Sequence, residues 1–358
     1  MRPAALSELG RRSWTNARDR LLQPASLSQA GRTPFDIIHR NDIVSVRAYS
    51  PAQRRHAVPL VLVPPLAVNM LIYDLFPQRS LVGHLLEAGF AVYMIDWGRP
   101  TPRHNHWNFA HYVQTLLPEA LAAIRRNEGQ QRLGLHGWSM GAMFANCYAA
   151  LGDPDIAHLT LLGPPCDYHA PGGVNWQNRL ISRQMQQLQK LAGFQIHATR
   201  KRYWRAPGWA NSLMFKLASP AGTLRGYTQL LRNLHDREFV QNHATHAAFL
   251  EDMVAYPGGL MQDVVQFLLT ENRLAQGRLP IADCDASLSH VKAPLLMILG
   301  QQDPIISPAS SARLLELLSS QDRTVLKVPG GHMSIVSGSS APSTIWEPMT
   351  AWLAERSA

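Results

Sequence analysis

Residues 133–142 read LGLHGWSMGA. A short apolar run enters Gly137-Trp138-Ser139-Met140-Gly141, and MGAMFANCYAALG continues with helix-forming residues, the small ones along one side. Strand, glycine-bounded turn and helix in that order make a nucleophile elbow, in which a serine hydroxyl is raised above the edge of a sheet. The glycines permit the tight turn. The first turn of the helix offers backbone N–H groups and a positive dipole end to a developing oxyanion. The spacing predicts Ser139 as a nucleophile; the alternative is an ordinary serine in a glycine-rich turn.

The flanking sequence predicts a fold in which that turn makes sense. FDIIHR and IVSVRAY alternate apolar with polar residues, as half-buried strands do. PLVLVPPLA (59–67) and FAVYMIDWG (90–98) are continuous apolar runs that suit strands buried on both faces of a parallel sheet. SLVGHLLEAG, between them, has helical spacing and a glycine stop. FAHYVQTLLPEALAAIRRNEG (109–129) is helical, with Pro118 starting a new segment. HLTLLGPP is the next strand. The alternation predicts an α/β class, with a mostly parallel, doubly wound sheet and helices on both faces. From residue 166, helical segments such as NRLISRQMQQLQKLAG and HAAFLEDMVAY follow one another without strands between them. The expected units are an N-terminal arm (1–34), a first core part (35–165), a helical cap insertion (166–290) and a second core part (291–358).

A serine nucleophile needs a base, and the base needs an orienting acid. Asp303 lies in ILGQQDPIISP and His332 in VPGGHMSI, each just past an apolar strand, so both fall at the carboxyl edge of the sheet in the order serine, acid, histidine. The expected oxyanion donors are the backbone N–H groups of Met140 and of Leu66 or Ala67, in the loop after PLVLVPP. His136, just before the elbow, reads either as a strand-end packing residue or as a site residue. His104, His106 and His111 read as a solvated loop without metal-ligand spacing. In the cap, Trp176, Trp204, Trp209, Met214, Phe215 and Tyr227 read singly as core packing between cap helices and together suggest an apolar acyl pocket. Trp138 joins them as a substrate-binding candidate, and Arg202 and Arg205 are candidates for a CoA phosphate.

Composition narrows the classes. A hydrophobic share of 46% over 358 residues supports a sizeable core. No apolar run reaches the ~20 residues of a membrane span. MRPAALSELGRRSWTNARDRL lacks the apolar stretch of a signal peptide, although its arginines and serines leave an organellar transit segment as an alternative. Cys147, Cys166 and Cys284 lack CxxC spacing, which speaks against a disulfide framework or zinc site and for a reducing cytoplasm. No metal or organic cofactor is called for. The net charge of +9 reads either as a generally basic surface or as attraction to anionic partners such as CoA esters or a membrane surface, and no nucleic-acid motif accompanies it. In the arm, arginines surround Leu6, Leu9, Trp14, Leu21 and Leu22, reading as a docked surface helix or a contact with a partner or granule surface.

The stretch VPPLAVNMLIYDLFPQRSLVGHLLEAGFAVYMIDWGRP resembles polyhydroxyalkanoate synthases, especially the short class III catalytic subunits. The marks are the prolines after the strand, Asn69, Tyr73-Asp74-Leu75, Ser80-Leu81-Val82 and Asp96-Trp97-Gly98, together with CYAAL, HDREFVQN and PGGH. The resemblance runs over about residues 35 to 355 and implies the α/β-hydrolase fold. It also implies that Ser139, Asp303 and His332 fall on nucleophile, acid and base positions. A homodimer or second synthase-type subunit, and a polyester granule surface, are the partners it implies. These synthases carry cysteine where this chain has Ser139. A cysteine forms a thioester that stays activated, whereas serine forms an ordinary ester, which favours release to water or a single transfer over repeated chain extension. The expected activity is acyl transfer from esters or acyl-CoA thioesters, by hydrolysis or transfer. A true acyltransferase or polyester synthase is the first alternative, and a non-catalytic granule- or synthase-binding relative is the second.

Overall fold

The computed structural model describes residues 3–218 and 220–357; the side chains of residues 3–6, 215, 218 and 220–223, among them Leu6 and Phe215, lie outside the described set. Eight strands form one sheet: β1 (Asp36–Asn41), β2 (Val44–Tyr49), β3 (Leu60–Val63), β4 (Val92–Asp96), β5 (Leu133–Trp138), β6 (Ile156–Leu162), β7 (Leu295–Gly300) and β8 (Arg323–Val328). Their spatial order is β1-β2-β4-β3-β5-β6-β7-β8. β1 and β2 are antiparallel to their neighbours, and β3 to β8 are parallel. The helices are α1 (Pro3–Leu22), α2 (Pro24–Leu27), α3 (Leu81–Glu87), α4 (Leu117–Glu128), α5 (Met140–Ala150), α6 (Asn175–Ala192), α7 (Gly208–Ala218), α8 (Pro220–Arg232), α9 (Arg237–Glu251), α10 (Gly258–Asp263), α11 (Pro308–Leu317), α12 (Ser334–Ser337) and α13 (Glu347–Arg356).

The apolar runs read from sequence become the central strands. All residues of β3, β5, β6 and β7 are buried, and each fully buried aliphatic side chain contributes roughly 1.5–3 kcal/mol. One face of the sheet packs against α4 and α5 through Leu117, Leu121, Ile124 and Phe144. The other packs against α3 and α13 through Leu81, Leu85, Met349 and Leu353. The segment 109–129 is not a single regular helix. His111–Leu116 is wound as a π-helix, and α4 begins at Leu117 with Pro118 in its first turn.

The strand order reverses between β3 and β5, because the chain steps from β3 outward to β4 and then returns to the other side of β3. Such a switch point leaves a crevice outside the carboxyl ends of the strands. The loops at that point carry Leu66, Ala67 and Ser139. The helices between β6 and β7, here called the cap, reach this crevice: Val254 N–H donates to Ala67 O at 3.0 Å, and Arg205 Nη2 to Pro100 O at 2.8 Å.

Candidate active site

Ser139 follows β5 and caps α5, with φ 56° and ψ −122°. A non-glycine residue in that region costs on the order of 1–3 kcal/mol, and surrounding bonds must hold it there. Its N–H donates to Leu162 O of β6 at 2.9 Å, and its carbonyl accepts from Met143 N–H of α5 at 3.1 Å. The glycines allow the close approach. A Cβ on Gly141 would lie 1.9 Å from Val63 O, and one on Gly137 would lie 2.6 Å from Ala142 N and Cα. The start of α5 is thereby pressed against the end of β3, with its positive dipole end at Ser139.

His332 and Asp303 meet across the loops after β8 and β7. His332 Nδ1 and Asp303 Oδ2 are 2.6 Å apart, and both residues are buried. Asp303 Oδ1 accepts from the N–H groups of Ile305 and Ile306, each at 2.8 Å. The carboxylate is therefore bonded on both oxygens, and Nδ1 of the imidazole is committed to it, leaving Nε2 as the free ring nitrogen. The ring stands beside Gly163, where a Cβ would lie 3.4 Å from His332 Cε1; Gly163 follows the strand whose Leu162 carbonyl holds Ser139 N–H. The Ser139 hydroxyl makes no hydrogen bond to the imidazole among the described residues.

The N–H groups of Leu66 and Met140 donate to no protein acceptor among the described residues, and that of Ala67 faces the Tyr256 hydroxyl. Burial pushes the Tyr256 phenol well up, with the Ala67 N–H opposing. The loop is braced from both sides. Trp97 Nε1 donates to Pro64 O at 2.8 Å, and Asn69 Nδ2 donates to Asp252 Oδ2 at 3.2 Å, while Arg99 pairs with the same carboxylate. Between these groups lies a cavity of about 280 Å³, lined among others by Arg47, Leu66, Asn69, Trp97 and Arg99.

The aromatic candidates are not brought together. Trp138 is buried behind the imidazole, its ring centroid 5.0 Å from that of His332, and its Nε1 donates to His332 O at 3.1 Å. Its ring and its N–H thus brace the histidine from the core. Trp204 Nε1 donates to Thr199 Oγ1 at 2.6 Å. Trp176 and Trp209 are 59% and 71% exposed, and Met214 and Tyr227 are also exposed, so these residues do not form a pocket wall. Arg205 is engaged with Pro100 O, and Arg202 with Tyr203. His104 departs from the solvated-loop reading: it is buried, with Nε2 2.9 Å from Asp42 Oδ2 and Nδ1 accepting from Thr101 N–H. His136 fits the packing reading, with Tyr73 edge-on to its ring. Sequence patterns single out neither Tyr256 nor Asp252; the contact between Asn69 and Asp252 spans 183 residues and has no local sequence signal.

A family model of the α/β-hydrolase fold matches residues 58–339. The chain belongs to the α/β-hydrolase fold family. Within this family, a model described as the N-terminus of poly-beta-hydroxybutyrate polymerase (PhaC) matches residues 28–85. The poly(3-hydroxyalkanoate) polymerase subunit PhaC of Haloferax mediterranei is 26% identical over 98% of this chain and 71% of its own length. That of Synechocystis is 25% identical over 92% of this chain and 86% of its own length. The resemblance to polyhydroxyalkanoate synthases read from the residues is therefore borne out. Among solved structures, the monoacylglycerol lipase of Paleococcus ferrophilus superposes with a TM-score of 0.53 at 17% identity, covering 88% of this chain and 99% of its own. A monoglyceride lipase from Saccharomyces cerevisiae gives 0.53 at 15%, covering 92% of this chain and 97% of its own. These two show the hydrolase fold.

Proposed function

We propose that this chain is a serine acyl-transfer enzyme that takes acyl or hydroxyacyl groups from esters or acyl-CoA thioesters through a Ser139 ester. The observation that carries the reading is the strained Ser139 at the switch point, with a carboxylate-bound imidazole at the neighbouring strand end. Ser139 Oγ attacks the acyl carbonyl as His332 Nε2 takes its proton. Asp303 holds the tautomer and stabilises the imidazolium. Met140 N–H, with Leu66 or Ala67 N–H, receives the oxyanion. The imidazolium then protonates the departing thiolate or alkoxide. In the second half, His332 takes a proton from water or an alcohol, which attacks the ester carbonyl; the acyl–Oγ bond breaks and the imidazolium returns the proton to Ser139 Oγ. The working division is the arm, the two core parts and the cap, at the boundaries drawn from sequence.

Similarity over nearly the whole chain to polyester polymerases favours a second reading, transfer to a hydroxyl-ended acceptor. The two differ in whether water reaches the ester. Incubation with 3-hydroxyacyl-CoA and mass spectrometry separates them. Free acid as sole product supports hydrolysis, and oligomer supports transfer. A fluorophosphonate should label the native protein and not Ser139→Ala; equal labelling of both overturns the assignment of Ser139. In Ser139→Cys, a gain of oligomer shows that the nucleophile alone limits extension.

A further inference from the structure

α6 is docked inside-out. Its inward side is held by polar groups: Ser182 Oγ and Gln186 Nε2 donate to Thr270 O, Gln189 Nε2 to Gln266 Oε1, and Arg179 Nη1 to the carbonyls of His169 and Ala170. Its outward side shows Trp176 (59% exposed), Leu180, Leu188 and Leu191 (84% exposed) to solvent, with Arg183 and Lys190 exposed among them. A surface helix of a globular protein ordinarily turns its apolar stripe to the core. The same inversion continues after the helix, where Tyr203 is 71% exposed beside Arg200, Lys201 and Arg202.

Both features concentrate in one part of the chain. Of the seventeen exposed large hydrophobic residues described, fifteen lie in the arm or the cap. Residues 175–251 carry eleven Lys and Arg against three acids, a net +8 of the chain's +9. Residues 175–207, which include all of α6, carry seven basic residues and no acid. No helix among the described residues is long and apolar enough to cross a membrane. An amphipathic helix with large apolar residues on one face and a basic flank lies in the plane of a lipid surface, with strength set by apolar area and by attraction to anionic headgroups. A second copy is disfavoured as the occupant, because two acid-free faces would meet charge to like charge.

We propose that α6 and the basic segment after it form a docking surface for an anionic phospholipid bilayer. Trp176, Leu180, Leu188 and Leu191 enter the headgroup boundary, while Arg183, Lys190 and the 200–202 cluster meet the phosphates. The test is co-sedimentation of the full chain with vesicles. Vesicles of mixed phosphatidylserine and phosphatidylcholine should bind at least about tenfold more tightly than pure phosphatidylcholine, and less so as salt shortens the Debye length. Arg183→Glu with Lys190→Glu, and separately Trp176→Ser with Leu191→Ser, should each weaken vesicle binding about tenfold, while melting temperature and hydrolysis of a water-soluble aryl ester stay unchanged. Equal binding to neutral and anionic vesicles overturns the proposal, as does native-like binding by both variants. Sedimentation with polyester particles but not with vesicles also overturns it, as does a dimer that the Trp176 and Leu191 substitutions dissolve.

Discussion

α5 and α6 both carry large apolar side chains and end up in opposite environments. α5 follows the elbow, and every residue from Gly141 to Ala150 is buried between the sheet and the π-helical turn at 111–116. Phe144 stacks on Tyr112 with ring planes 8° apart and meets Trp97 edge-on. α6, 18 residues long against 11, buries Asn175 and Ser182 and shows its leucines to solvent. The difference teaches that apolar composition fixes how much surface a helix wants to hide, and that the partner fixes where. α5 has the sheet beneath it, and its N-terminus meets Ser139. α6 has polar carbonyls beneath it, and its apolar side is left for something outside the chain.

Chemistry and docking should therefore separate under mutation. The largest effect expected is from Asp303→Asn, which keeps the shape but leaves the imidazole in the wrong tautomer; kcat on a soluble ester should fall about 10⁴-fold, with vesicle partition unchanged. A loss below tenfold would show that Asp303 does not orient His332. The helices themselves should differ next. Phe144→Ala in α5 removes a wholly buried ring and should cost about 3–5 kcal/mol in urea unfolding. Leu188→Ala in α6 should change stability by less than about 0.5 kcal/mol. Comparable losses at both sites would break the comparison.

The α5 side of this contrast was legible in the sequence and the α6 side was not. Buried parallel strands such as PLVLV declare themselves because both faces are apolar, and the glycines around Ser139 mark places where the backbone comes too close for a Cβ. The Ser–Asp–His order followed from strand ends alone. Direction was what sequence could not give. Trp176 and Trp209 have the composition of a pocket wall yet face outward, because hydrophobicity carries no vector without knowing what lies beneath. Trp138, the last residue of β5, is buried against His332, which follows β8. His104 packs into a buried bond with Asp42, 62 residues away, which no local pattern announces.

The strand leading into α5 also carries an acid sensitivity. Burial pushes His136 down to about 3, with His158 nearby adding to it, and burial pushes His158 down to about 3, with Arg132 and Arg356 adding. Both are neutral when folded and protonate near 6.5 when unfolded, so the unfolded chain binds more protons between those values. Stability is then intact above pH 6.5 and lost as pH falls toward 3, by about 2.7 kcal/mol per pH unit for the pair. His136→Leu should halve that slope in urea midpoints measured from pH 6 down to 4, and an unchanged slope would assign the acid loss elsewhere.

The smallest effect expected lies where cap and sheet edge meet. Val254 N–H holds Ala67 O, and two residues on, the Tyr256 hydroxyl faces Ala67 N–H, one of the donors assigned to the oxyanion. A hydroxyl at that point lies beside the donor in the resting site. When the oxyanion forms, the phenol must either yield the Ala67 N–H or turn its own O–H toward the charge. Tyr256→Phe separates the two. If the phenol only blocks the donor, its removal leaves kcat unchanged or raises it. If the phenol donates to the oxyanion, kcat falls roughly 3- to 10-fold at constant KM, the size of one neutral hydrogen bond. The second outcome is expected, because a phenol whose ionisation is pushed well up by burial keeps its proton for donation across the working pH range. It would also make the cap part of the reacting site, with the bilayer-facing α6 elsewhere on the same unit.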